Sequence, residues 1–326
     1  YTYPLSSIST SLNPIFLSSS ARNLPRISWL LLEGQVSESS SEFVPNETLL
    51  GLGGDEQTYS EVDNWIYENL TKPYNIDVKY KWDQSELDKN KTLVPIKEEL
   101  VVPVMKMIKK IWIDTYVELA GASFIRQLAP KRFVLVGSPS YNSSGTYTAG
   151  EAEGGRKITI YRLNWYNNTD KDMIQNIMKT VHHEFAHIMH QTIMYPTDFK
   201  LITPEGYTTS WNNTTDAEAI KLGFISTYAR STSNEDFVEM IARIAVYGPE
   251  WYEERVAQAA EVYADPAQNV GMTYDPVEVF RVKESYVENY LKDIWGINFY
   301  DQDGEKGLVS MVQDAINEVV NGDIDN

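Results

Sequence analysis

The chain contains no cysteine. That absence excludes disulfide stapling, thiolate zinc sites, iron–sulfur clusters and cysteine nucleophiles together, so any metal must be held by His, Asp or Glu. Histidine is scarce as well, with four in 326 residues. Basic residues are the minority: 28 Lys and Arg against 46 Asp and Glu give a formal charge of −18. Such a surface repels phosphate backbones and argues against nucleic acid as a partner. No run of 18 apolar residues occurs, so no segment reads as a membrane-spanning helix. Internal repeats and glycine-rich phosphate loops are also missing. The start, Tyr1-Thr2-Tyr3-Pro4, lacks a basic n-region and an apolar h-region and reads as the start of a mature or truncated chain. What remains is ample material for a core, with 42% hydrophobic and 12% aromatic residues.

Twelve of the first fifty residues are Ser, and residues 1–57 read as a Ser-rich lead-in. From Ser60 the pattern becomes regular. Apolar residues at helical spacing follow a Ser/Glu-type helix start, and Pro73 is expected to stop that helix. Ile76 to Trp82 alternates apolar and charged residues, the signature of a half-buried strand. A long helix is expected from about Glu98 to Leu119, with Pro103 near its first turn. Strands are expected over Arg132–Gly137 and Lys157–Leu163, separated by a Gly-, Ser-, Tyr- and Thr-rich loop. After Asp170 the pattern is helical apart from a loop from about Pro196 to Thr215. The order predicts an α+β fold: residues 58–326 form one domain, with a small mixed sheet and its helices over 58–195 and a mainly helical part over 196–326.

All four histidines, His182, His183, His187 and His190, lie within nine residues. Inside that string, His183-Glu184-Phe185-Ala186-His187 is an HExxH pattern. On a helix, positions i and i+4 share a face about 6 Å apart along the axis, so two imidazoles can converge on one zinc ion. Glu184, one residue after the first imidazole, can reach the open side of the metal and take a proton from water. His190 stands about 10.5 Å along the axis from His183, too far for a straight helix to bring three rings to one ion. It is expected to support the site rather than ligate, and His182, turned about 100° away, to be a packing or surface residue.

A third ligand is expected downstream. Glu235 and Glu239 are again i and i+4, on a helix that Asn234 or Ser233 can cap, with Phe237, Met240, Ile241 and Ile244 as the apolar stripe facing the histidine helix. Glu235 would complete a His₂Glu zinc site with an open fourth position, and Glu239 would accept a hydrogen bond from a ligand histidine. Asp236 and His190 are the alternatives for the third ligand.

The Asn234-Glu235-x-x-x-Glu239 segment downstream of HExxH resembles the gluzincin arrangement of thermolysin-like peptidases. Tyr228-Ala229-Arg230 through Glu239 is similar to the third-ligand region of the anthrax lethal factor catalytic domain. That likeness nominates Tyr228 as a donor to the transition-state oxyanion. More broadly, residues 58–300 resemble the zinc-binding metallopeptidases described as substrate-import-associated zinc metallohydrolase lipoproteins of Bacteroidetes-type bacteria. The likeness runs through Trp65, Pro73-Tyr74-Asn75-Ile76, the strand through Tyr80 and Trp82, the Gly145–Gly155 loop, the histidine string and Gly223-Phe224-Ile225-Ser226. It implies a zincin-like fold, a zinc cofactor and a peptide or protein substrate. It also implies an extracytoplasmic, outer-membrane setting beside a nutrient importer, with any membrane attachment through a lipid anchor that this chain lacks. The expected activity is zinc-dependent peptide hydrolysis, with Lys157–Leu163 as the sheet edge that pairs with an extended peptide. Two other classes remain open: a zinc-containing glycan- or peptide-binding accessory protein without peptidase activity, and a purely structural metal site.

Overall fold

The structure, a computed structural model, describes residues 59–87, 90–141, 147–148, 150–153 and 156–324. The lead-in expected over residues 1–57 lies outside the described residues. Helix α1 (Glu61–Ile66) starts on a capping box: the Asp63 N–H donates to Ser60 Oγ at 3.1 Å and the Ser60 N–H to Asp63 Oδ2 at 3.0 Å. The run passes through a π turn, Tyr67–Thr71, into α2 (Lys72–Tyr74). Pro73 does not stop it, contrary to expectation. It sits just past the π turn at the second position of α2, and Asn75, with φ at 58°, ends the run. In β1 (Asp77–Lys79) and its flanks, Ile76, Val78 and Tyr80 are buried while Asp77 and Lys79 are half-exposed, as the alternation requires.

The long helix expected from Glu98 is three pieces: α3 (Glu98–Ile108), a π turn at Lys109–Asp114 and α4 (Thr115–Ala120). Pro103 lies inside α3, past its first turn. Next come α5 (Ala122–Leu128), β2 (Arg132–Leu135), β3 (Ser140–Tyr141), β4 (Tyr147–Thr148), β5 (Gly150–Glu153) and β6 (Lys157–Ile160). The stretch 137–155, read from the sequence as loop, thus contains three short strands. The main sheet has the order β1-β2-β6-β5, with β1, β2 and β6 parallel and β5 antiparallel. This corrects the expected edge. Lys157–Ile160 is hydrogen-bonded on both sides, and the two edge strands among the described residues are β1 and β5.

The sheet buries both faces. Phe133, Leu135, Ile158 and Ile160 join the main core, and Val134 packs with Val136, Leu93 and Tyr161 in a smaller cluster. Helix α6 (Lys171–Thr192) is capped by Asp170 and carries all four histidines. Trp112, from the π turn, meets Phe133 of the sheet and Phe185 of α6 edge-on, with centroids 5.8 and 5.2 Å away, so the α3–α4 run wedges between them. After short 3₁₀ turns between residues 197 and 213 come α7 (Asp216–Lys221), α8 (Ser233–Tyr247), α9 (Pro249–Ala264), α10 (Pro276–Trp295) and α11 (Leu308–Asn321). The mixed-then-helical order is the one expected. Among the described residues, no helix is long and apolar enough to cross a membrane.

Candidate metal centre

Helices α6 and α8 pack side by side. Three contacts fix their register: Gln175 Nε2 donates to the Val246 carbonyl at 3.0 Å, His183 Nδ1 meets Glu239 Oε1 at 2.9 Å, and His187 Nε2 meets Glu235 Oε2 at 3.2 Å. Positions rise along α6 as they fall along α8, so the helices are antiparallel. The expected apolar stripe closes the interface: Phe237, Met240, Ile241 and Ile244 are fully buried. The α8 cap is neither Asn234 nor Ser233. Thr232 Oγ1 takes the Glu235 N–H at 3.2 Å, and Asn234 Oδ1 accepts instead from the Tyr195 hydroxyl at 2.7 Å.

One ligand atom from each of His183, His187 and Glu235 lies within 4.8 Å of the others, the one such His/Asp/Glu group among the described residues. Glu235 Oε2 is 3.0 Å from His183 Nε2 and 3.2 Å from His187 Nε2. Ligands 2.0–2.1 Å from a tetrahedral zinc stand about 3.4 Å apart, so this donor set fits the ion with little movement. Each Nδ1 is engaged on the outer side, which aims both Nε2 atoms inward. His183 Nδ1 donates to Glu239, and Glu239 in turn accepts from Ser226 Oγ at 2.6 Å and from Arg243 Nε. His187 Nδ1 is 2.9 Å from His190 Nε2. With metal on His187 Nε2, its Nδ1 carries the proton and donates to His190, whose own proton then sits on Nδ1. His190 thus stands behind His187 and outside the convergent group, and Asp236 points elsewhere, into an ion pair 2.7 Å from Lys283 Nζ.

The electrostatics follow from burial and these partners. Burial alone would lower the His183 pKa, but hydrogen bonds to Glu235 and Glu239 outweigh it and hold it up at about 9 in the metal-free protein. Burial pushes Glu235 up, and the two histidines override that and bring it to about 2. Glu239 is driven up by burial and held well below its ordinary value by Arg243 and His183. Burial and the neighbouring His187 lower His190 to about 4, so it is a neutral acceptor at pH 7. His182 is fully buried and lowered by burial to about 3. It lies 3.4 Å from the Tyr116 hydroxyl, a packing role away from the centre.

Glu184 is half-buried, its pKa is raised by burial, and it has no hydrogen-bond or ion-pair partner among the described residues. The Tyr228 ring lies 5.9 Å from the His183 ring. Burial and the carboxylates of Glu235, Glu184 and Glu239 push its pKa up, so the phenol keeps its proton. Ser226 and Arg243 were missed as supports in the sequence. Arg243 carried a signal, lying four residues after Glu239 on one helix face; Ser226 carried none.

Residues 55–300 match the model of a family described as "Putative zinc-binding metallo-peptidase". No curated protein matches. The fold is similar to the crystal structure of a protein from Bacteroides caccae with that same description. The two chains are 35% identical with a TM-score of 0.67, over 84% of this chain and 98% of the other.

Proposed function

The chain belongs to this family of zinc-binding metallopeptidases, and we propose that it cleaves peptide bonds with zinc held by His183, His187 and Glu235 and with Glu184 as general base. The observation that carries the reading is an unpaired, half-buried carboxylate beside three convergent ligand atoms. A gluzincin-like zincin fold is the matching architecture. The HExxH pattern lies on a buried helix, the third ligand starts the next long helix packed on it, and a parallel sheet ends in one antiparallel edge strand.

Bound zinc would supply Lewis acidity, making water a nucleophile near neutral pH and polarising the scissile carbonyl. Glu184 takes the proton from the attacking water, helped by the raised affinity for protons that burial gives it, and passes it to the leaving amine. Tyr228 donates its retained proton to the developing oxyanion. Glu239 and His190 hold the two imidazoles in the tautomer that presents Nε2. An extended peptide would lie along β5, the edge strand that packs beside α6.

Glu184→Gln tests the central role. The variant should bind one zinc as the wild type does and lose at least about 100-fold in cleavage of a proteome-derived peptide library. Wild-type cleavage by the variant would remove Glu184 from the mechanism. A zinc-loaded wild type that binds glycan or peptide and cleaves nothing would favour an accessory binding protein. Service at the cell surface beside a nutrient importer is the setting we propose, and recovery of the native protein in the cytoplasmic fraction would refute it.

A further inference from the structure

The segment following α6 contains a polar, solvent-facing loop with one large apolar side chain. Thr209, Ser210, Asn212 and Asn213 are exposed, whereas Trp211 is half-buried. Its ring lies 4.9 Å from the Tyr228 ring at an interplanar angle of 73°, and Tyr228 in turn lies 5.9 Å from His183. Trp211 therefore stands one aromatic ring away from the ligands. The loop is tied to the same turn that carries Tyr228. The Thr208 N–H donates to the Arg230 carbonyl at 2.7 Å. Arg230 itself donates to the Gly206 carbonyl at 3.0 Å and to Thr214 Oγ1 at 2.8 Å. A further tie, from the Tyr207 hydroxyl to Asp236 Oδ2 at 3.0 Å, reaches the residue next to Glu235. The indole is thus fixed relative to both Tyr228 and the third ligand.

Edge-on contact with Tyr228 covers part of the indole and leaves part facing water. An indole held half-open, one aromatic ring from His183, offers apolar surface rather than charge to a neighbouring side chain. Resting on the hydrolase reading above, we infer that Trp211 walls a substrate subsite that takes an apolar side chain next to the scissile bond. Trp211 is then a specificity-determining residue, and Arg230 the strap that positions it.

The experiment compares two matched peptide series differing at one position flanking the cleaved bond, Leu or Phe against Ser. The enzymes are zinc-loaded wild type, Trp211→Ala and Trp211→Phe, each first checked for zinc content. Wild type should favour the apolar series by about 10- to 100-fold in kcat/KM. Trp211→Ala should bring that ratio close to one, mainly through KM, and Trp211→Phe should keep most of it. Binding of the same peptides to Glu184→Gln with and without Trp211→Ala gives a readout independent of turnover, and the apolar preference should vanish there in the same way. Equal losses on both series would mean that Trp211 only props Tyr228, and would overturn the inference while leaving the hydrolase reading intact. The same holds for a wild type that cleaves without preference. A wild type that cleaves no peptide overturns the hydrolase reading and this inference with it.

Discussion

Each of the two candidate ligand histidines has a different outer partner, and the difference has measurable consequences. His183 leans on a buried carboxylate that Arg243 and Ser226 also grip, whereas His187 leans on a neutral imidazole. Outer partners of this kind govern metal affinity by about 10- to 100-fold. Glu239→Gln should therefore weaken zinc binding toward the upper end of that range and His190→Ala toward the lower, as read by competition with a chromophoric chelator. The pH dependence follows from His183. Its pKa of about 9 in the metal-free protein lies above the ordinary value of 6.5. Zinc takes only the neutral ring, so binding must expel that proton at any pH below 9. Zinc affinity should rise about tenfold per pH unit from 7 to 9, and calorimetry at pH 7.5 in buffers of different ionisation enthalpy should show close to one proton released per zinc. Binding without proton release would contradict the His183–Glu235–Glu239 arrangement. These residues were legible in the sequence because i and i+4 spacing is local geometry. Ser226 and Trp211 were not, because nothing local says that they reach Glu239 and Tyr228.

At the scale of elements, strong periodicity was readable and its interruptions were not. The 22 residues of α6 and the 15 of α8 announce themselves by apolar spacing. The π turns at Tyr67–Thr71 and Lys109–Asp114 leave residue types unchanged and so leave no trace in the pattern. Strand β5 reads Gly-Glu-Ala-Glu, with no β-branched residue, and only its pairing with β6 makes it a strand. Its invisibility is why β6 was mistaken for the edge. Helix α10 holds the sharpest departure. Lys283 is fully buried, 2.7 Å from Asp236 on α8 and 2.9 Å from the Gly223 carbonyl, with its ammonium 3.8 Å from the centre of the Phe224 ring. Gly223 itself has φ at +73°, and a side chain there would strike Val279, so the carbonyl is delivered by a turn only glycine makes easily. The pair locks α10 to the first turn of α8, where Glu235 sits. Removing one partner strands a buried charge, at a cost of about 3–5 kcal/mol. Lys283→Met should show that loss in urea unfolding. Adding Asp236→Asn should recover at least about 2 kcal/mol of it, a non-additivity that two independent surface positions would not give.

For the whole molecule, the metal decides how the charge at its centre is balanced. Glu184, Glu235 and Glu239 crowd one region of a chain already at −18, with Arg243 as the cation bonded to Glu239. Without zinc, the protonated His183, alongside the nearby Lys179, adds positive charge there. Because its folded pKa is raised, that contribution to stability is fully present below pH 6.5 and is lost as pH rises through 9. At the proposed site, zinc would take over the same task where the proton leaves. Its linkage to folding grows with free metal over Kd, reaching about 4 kcal/mol at a thousandfold excess. The two terms have opposite pH trends, so chelation should hurt the protein unequally. At pH 8 the stripped protein has a weaker proton brace and has lost a tighter-binding ion, and its Tm should fall by about 5–10 °C. At pH 6 zinc affinity is about 100-fold lower, worth about 2.7 kcal/mol less stabilisation, and the metal-free form keeps its imidazolium. The Tm difference between zinc-loaded and stripped protein should therefore shrink to about half or less at pH 6 in scanning calorimetry at fixed total zinc. Equal shifts at both pH values would mean that the proton on His183 and the metal do not compete for one position.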